Sequence, residues 1–203
     1  MGKIKVKKQS TFIDMTAMSD VTVLLLTFFM LTATFLPKEP VQVLTPASVS
    51  ERKISEYNVL TILIDTQGRV FLNLDDANAK KSVLQLMGQD YGIQFNANQV
   101  ASFVEQTHIG VPMSRMSDFL KESLSKQDEE IKKMGIPTDS TNNQLARWVK
   151  HAREIGGENM QIAIKSDQTT PYPDVDKVMK ILVAMKENRY SLVTTLKKTP
   201  EGL

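Results

Sequence analysis

One carboxylate sits where a carboxylate is expensive. Asp20 is the single charge in Met15–Leu36, a run of 22 residues that is otherwise apolar, alanine or hydroxylated. As a helix, such a run spans about 33 Å at ~1.5 Å per residue, close to the ~30 Å hydrocarbon core of a bilayer. A charged side chain held there costs ~2.5–3.5 kcal/mol on insertion scales, and such groups face a protein interior or a wet cavity along an ion path. Desolvation favours the neutral form of a carboxylate, so a buried one can load and unload a proton. Asp20 lies about one and a half turns into the run, so an interfacial Asp that caps the helix or reaches water is the competing reading. Asp14, after Ser10-Thr11-Phe12-Ile13, is the better placed cap or cytoplasmic-mouth residue, because a carboxylate there can accept the free N–H groups of the first turn. Ser19, Thr22 and Thr27 supply hydroxyls for a proton path, or simply small polar contacts for helix packing in lipid. One helix cannot seal such a path. A partner membrane protein must supply the rest.

Other chemistry is not legible. There is no Cys, which excludes disulfides, thiolate metal sites and a cysteine nucleophile. His108 and His151 stand far apart without ligand-spaced partners, so no metal site is expected. Ser123-Leu124-Ser125-Lys126 matches a Ser-x-x-Lys pattern, but inside a charged amphipathic segment without the companion elements, which reads as chance. No Gly-rich phosphate loop is present. Neither an enzyme nor a cofactor is expected.

The 203 residues suit one domain with an appendage. The net charge of +2 is unevenly placed. Lys3, Lys5, Lys7 and Lys8 precede the apolar run with no acid among them, while beyond residue 36 bases and acids balance. A buried core helix would be unusually apolar all round. A cleaved signal peptide would need an uninterrupted centre and a small-residue cut site, and Asp20 and Ala33-Thr34-Phe35-Leu36 supply neither. A single transmembrane anchor remains. The lysines then place the N-terminus in the cytoplasm and the rest outside. Topology accounts for the basic arm more simply than nucleic acid does, and contact with membrane lipid accompanies it.

The elements beyond the run follow from turn and capping chemistry. Pro40 and Pro46 make Val41, Val43 and Leu44 part of an extended strip, either a strand or a docked linker, and the polar residues 47–56 are expected to be mobile. Asn58–Asp65 and Arg69–Leu74 read as a hairpin, with Thr66-Gln67-Gly68 as a loop carrying Gly in the left-handed position. Asp75-Asp76 caps a helix to about 87, and Asn96 or Asn98 caps another to about Thr107. Ser114–Met134 is an amphipathic helical stretch with Leu120, Leu124, Ile131 and Met134 close to one stripe. Asp139-Ser140 caps a helix burying Leu145, Trp148, Val149, Ala152 and Ile155, stopped by Gly156-Gly157. Gln161–Lys165 is a strand, Pro173-Asp174 opens a helix, and Ser191–Leu196 is a final strand.

Ile13-Asp14-Met15-Thr16-Ala17-Met18-Ser19-Asp20-Val21, continuing through Leu24–Met30, resembles the transmembrane segment of the ExbD/TolR family of biopolymer-transport proteins. The family's essential Asp falls on Asp20. The Thr-Pro step often found before it is Thr16-Ala17 here. Val41, Val43, Leu44 and Pro46 resemble the family's Val-x-Val-x-Leu-Pro strip, with one residue inserted before the proline. Ile164-Lys165-Ser166-Asp167, followed by Tyr172-Pro173-Asp174-Val175 and Val178-Met179, resembles its closing strand, acidic turn and helix start. The resemblance implies an α/β fold: a single N-terminal transmembrane helix followed by a small mixed α/β periplasmic domain with a helical insertion. The parts would be a cytoplasmic arm (1–12), the membrane helix (13–36), an extended linker (37–56) and the domain (57–203), with the insertion at 88–157. It further implies an inner-membrane location, a proton relay at Asp20, dimerisation, a multi-helix partner of the ExbB/TolQ type, and a TonB- or TolA-like periplasm-spanning protein. A TolR-like envelope-integrity subunit, a motility stator and a passively anchored binding module are the alternatives.

Overall fold

A computed structural model describes residues 15–33, 43–48, 58–139 and 141–196. The chain divides into two units, Met1–Pro37 and Lys38–Leu203. In the first, α1 runs from Met15 to Thr32, about 27 Å long. It buries none of its residues. Among the described residues it is the one helix long and apolar enough to cross a membrane.

The second unit is built on a four-stranded sheet. Strands β2 (Val59–Ile64) and β3 (Val70–Leu74) follow the short strand β1 (Ala47–Ser48) and form the expected hairpin, with Leu60 opposite Leu74 and Ile64 opposite Val70. The turn closes because Gly68 takes φ +74, which a side chain would strain. A Cβ there would also meet the Asp174 carboxyl at 2.7 Å. Strands β6 (Gln161–Ser166) and β7 (Tyr190–Val193) add in parallel, giving the order β3-β2-β6-β7. The central strand β2 is buried at all positions but Thr61, as a strand covered on both faces should be.

Among the described residues, five helices lie between β3 and β6. Helix α2 (Ala77–Tyr91) starts on Asp76, whose carboxylate accepts from the Asn78 N–H, and ends on left-handed Gly92. It outruns its expected end near 87 because Gly92 is the first residue that stops it. Helix α3 (Ala97–Glu105) opens with a reciprocal capping box between Asn96 and Gln99.

The stretch 114–134 is two helices, α4 (Met113–Phe119) and α5 (Leu124–Ile131). No Gly or Pro marks the break. It is held by the fully buried Gln127, whose amide donates to the Glu122 carbonyl at 2.7 Å. Leu120 and Ile131 are buried, but Leu124, assigned to the same stripe, is 48% exposed. Helix α6 (Gln144–Gly156) is capped by Asn143, which accepts from the Ala146 N–H. Asp139, the expected cap, lies instead in β4 (Thr138–Asp139), which pairs with β5 (Asn142–Asn143). The α6 face is as expected at Leu145, Trp148, Val149 and Ala152, with Ile155 half-buried. Trp148 stacks on Phe103 of α3, with ring centroids 6.0 Å apart and planes at 12°. These residues share one core with Leu60, Ile62, Ile64 and Phe71 of the sheet, so the segment 88–157 is packed into the domain.

Helix α7 (Tyr172–Ala184) carries Pro173 in its first turn and buries Val178 and Leu182. The last strand is interrupted at Thr194, and β8 (Thr195–Leu196) pairs with β1 rather than with the main sheet. That pairing, Ala47 with Thr195 and Ser48 with Leu196, puts the start of the supposedly mobile 47–56 segment into a strand.

Candidate functional site

Two candidate regions stand apart, each within its own unit: the polar groups of α1 and the strip near the start of the second unit. In α1 the hydroxyls of Ser19, Thr22, Thr27 and Thr32 turn back on the helix. Ser19 donates to the Met15 carbonyl at 2.7 Å, Thr22 to Met18 at 3.0 Å and Ser19 at 2.8 Å, Thr27 to Leu24 at 2.9 Å, and Thr32 to Phe28 at 2.8 Å. This satisfies the hydroxyl protons inside an apolar helix and leaves the oxygen lone pairs for a neighbour. Asp20 joins no other described residue by hydrogen bond or ion pair.

Helix geometry sorts the candidates. At about 100° per residue, Thr16 (four positions before) and Thr27 (seven after) share the face of Asp20, with Thr27 about 10 Å farther along the axis. Ser19 and Thr22 are turned away by about 100° and 160°. Of the three hydroxyls singled out in the sequence, only Thr27 continues a line from Asp20. Asp14 lies outside the described residues, as does Val41.

The strip docks through its backbone. The Leu44 N–H donates to Asp167 Oδ2 at 2.9 Å, and the Gln168 N–H returns a bond to the Leu44 carbonyl at 2.8 Å. The Leu44 side chain stays 69% exposed, while Val43 packs on the core and Pro46 is half-buried. Asp167 Oδ1 accepts from the Thr169 N–H at 2.8 Å and its hydroxyl at 2.6 Å. The Thr169 hydroxyl and N–H, with the Leu44 N–H, hold the Asp167 carboxyl below the usual carboxylate range against the opposing cost of burial.

One strand over, at the matching end of β2, Asp65 is fully buried. Its Oδ1 accepts from the Gln67 N–H at 2.9 Å and the Arg69 N–H at 2.8 Å, and its Oδ2 takes Arg69 Nε and Nη2, both at 2.6 Å. Thr170 Oγ1 donates to the Asp65 carbonyl at 3.0 Å and ties the two turns together. Of these two carboxylates the resemblance had placed Asp167 in an acidic turn, while Asp65 was only the end of a strand. Each is an Asp directly after an apolar strand, followed by Thr or Gln, the composition of a turn in which the carboxylate accepts the N–H two residues on. That pattern was the available signal.

His151 is one of the chain's two histidines. It lies between two carboxylates that bond opposite ring nitrogens, so the three cannot converge on one ion, and no group of three side chains arranged to hold a metal ion occurs among the described residues.

Comparisons with curated proteins and with solved structures found no significant match. A family model described as biopolymer transport protein ExbD/TolR matches residues 7–197, from the basic arm through the last strand, and the chain belongs to the ExbD/TolR family.

Proposed function

We propose that this chain is the proton-carrying subunit of an ExbB–ExbD-type inner-membrane motor, which draws on the proton motive force to energise TonB-dependent outer-membrane transport. The family works generally with ExbB/TolQ-type and TonB/TolA-type partners. The observation that carries the proposal is Asp20: the single carboxylate of a helix long and apolar enough to cross a membrane. Such a group needs an environment supplied by other chains, and a multi-helix ExbB/TolQ-like protein enclosing two copies of α1 would supply it. Lys3, Lys5, Lys7 and Lys8 favour a cytoplasmic N-terminus, which places Lys38–Leu203 in the periplasm. Protons crossing by way of Asp20 would each release ~2.3 kcal/mol per 100 mV of membrane potential. The docked strip, bonded to Asp167 and paired with β8, is the covalent route by which motion of α1 would reach the domain.

The test is Asp20→Asn in cells that depend on an outer-membrane receptor for an essential nutrient. The variant should insert and co-purify with its multi-helix partner while energy-dependent uptake is lost. Normal uptake would overturn the proposal and favour a passive anchor. Normal uptake in a complete deletion, with loss of envelope integrity or of motility instead, would move the chain to a TolR-like or stator role.

A further inference from the structure

We propose that His151 is a pH-operated clasp between α2 and α6, closed when its imidazole is protonated. The geometry carries this. His151 Nε2 lies 2.8 Å from Asp90 Oδ2 on α2, and Nδ1 lies 3.0 Å from Glu154 Oε2 one turn along α6. An ionised carboxylate only accepts hydrogen bonds, so both ring nitrogens must donate, and only the imidazolium donates from both. A neutral ring would satisfy one carboxylate and turn a lone pair toward the other. The ring is buried, with 9% of its side chain exposed, against 37% for Asp90 and 49% for Glu154. The clasp is therefore shielded while its acceptors stay in contact with water, which gives the proton a route out.

Cationic side chains stand beside both carboxylates. On α6, Arg147 and Lys150 act on Asp90, and Lys150 Nζ also lies 3.9 Å from Glu154. From α2, Asp90 is the facing group. Its bond to His151 holds it below its ordinary value. Burial pushes the imidazole down, and the bonds from Asp90 and Glu154 more than offset this, leaving it raised above its ordinary value. The sign follows. A raised folded value makes the clasp's contribution complete below the unfolded value of about 6.5, and it is lost as pH climbs through the folded value. The two helices joined here carry Trp148, Val83 and Met87 of the core, so loosening them loosens the helical layer that packs on the sheet. With the domain in the periplasm, as proposed above, the clasp would read the pH of the compartment that supplies the protons. The chemistry of the clasp does not depend on that placement.

The test uses the full chain in detergent micelles, with its two histidines labelled with ¹⁵N in the ring. His151 should show two protonated nitrogens at pH 7 and titrate above the ordinary histidine value. Asp90→Asn and Glu154→Gln should each lower that midpoint. Amide exchange in α2 and α6, corrected for its intrinsic pH dependence, should be slower at pH 6 than at pH 8, and H151Q should abolish the difference. A neutral ring at pH 6, a midpoint unmoved by Asp90→Asn, or an unchanged pH dependence in H151Q would overturn the proposal. The carboxylate variants keep the histidine, so they decide the matter even if H151Q folds poorly.

Discussion

Asp20 and Asp65 are the same side chain in opposite circumstances. Asp65 is enclosed by its own chain, with two backbone N–H groups and a guanidinium on its oxygens. Asp20 stands on a helix that buries nothing and bonds to no other described residue. A carboxylate whose donors are fixed is a structural joint, because its ionised form is satisfied once and for all. A carboxylate without such donors makes no such joint. The contrast is between two carboxylates: Asp65 is completed by donors of its own chain, and Asp20 has none among the described residues.

The largest expected effect that can break this contrast is functional. Asp20→Asn should abolish energy-dependent uptake and leave the urea unfolding midpoint of the second unit unchanged. A shifted midpoint would mean that Asp20 also supports the fold. Next comes Asp65→Ala, which should destabilise the second unit by about 3 kcal/mol. That is the low end for a broken buried pair, because Arg69 keeps 26% of its side chain exposed and can turn to water. Denaturant titration reads it, and a change below ~1 kcal/mol would remove Asp65 from the structural side of the comparison.

Asp167→Ala is milder. It should speed amide exchange at Leu44 with little change at Leu60 or Ile164 in the sheet. Because the folded Asp167 carboxyl is held low, its contribution is complete above the unfolded value of about 3.9 and is lost as pH falls below that through the folded value. Exchange at Leu44, corrected for its intrinsic pH dependence, should therefore rise on acidification in the native chain and not in Asp167→Ala. The smallest effect sharpens the α1 face. Thr27→Val should slow uptake about fivefold, the equivalent of one hydrogen bond worth ~1 kcal/mol. Ser19→Ala and Thr22→Ala should leave it unchanged. Equal effects at all three would mean that the hydroxyls pack helices rather than line a path.

Local patterning carried much of the fold. The hairpin with its Gly68 turn, the Asp76 and Asn96 caps, the buried stripe of α6 and the β6–α7–β7 ending all follow from short-range chemistry, and all were legible. The break between α4 and α5 was not, because Gln127 holds it through a side chain packed into the core, and no turn residue announces such a bond. The Asn143 cap displaced Asp139 because a two-residue hairpin took Asp139 into pairing first. The strand at Ala47 depends on Thr195, far along the chain, and the polar composition of 47–56 cannot show it.

The candidate site divides the same way. Asp20 stands out as a candidate because a lone charge in an apolar run of membrane length is improbable without a reason, and that improbability is a property of composition alone. Which hydroxyl shares its face follows once the helix is drawn. The clasp of Leu44 on Asp167 and the imidazole between Asp90 and Glu154 join residues remote in sequence. Hydropathy and spacing therefore determined that one segment suits a bilayer and carries a carboxylate there. Only the tertiary structure decided which other acids are spent on holding the fold, because that depends on which donors long-range packing brings within hydrogen-bond distance.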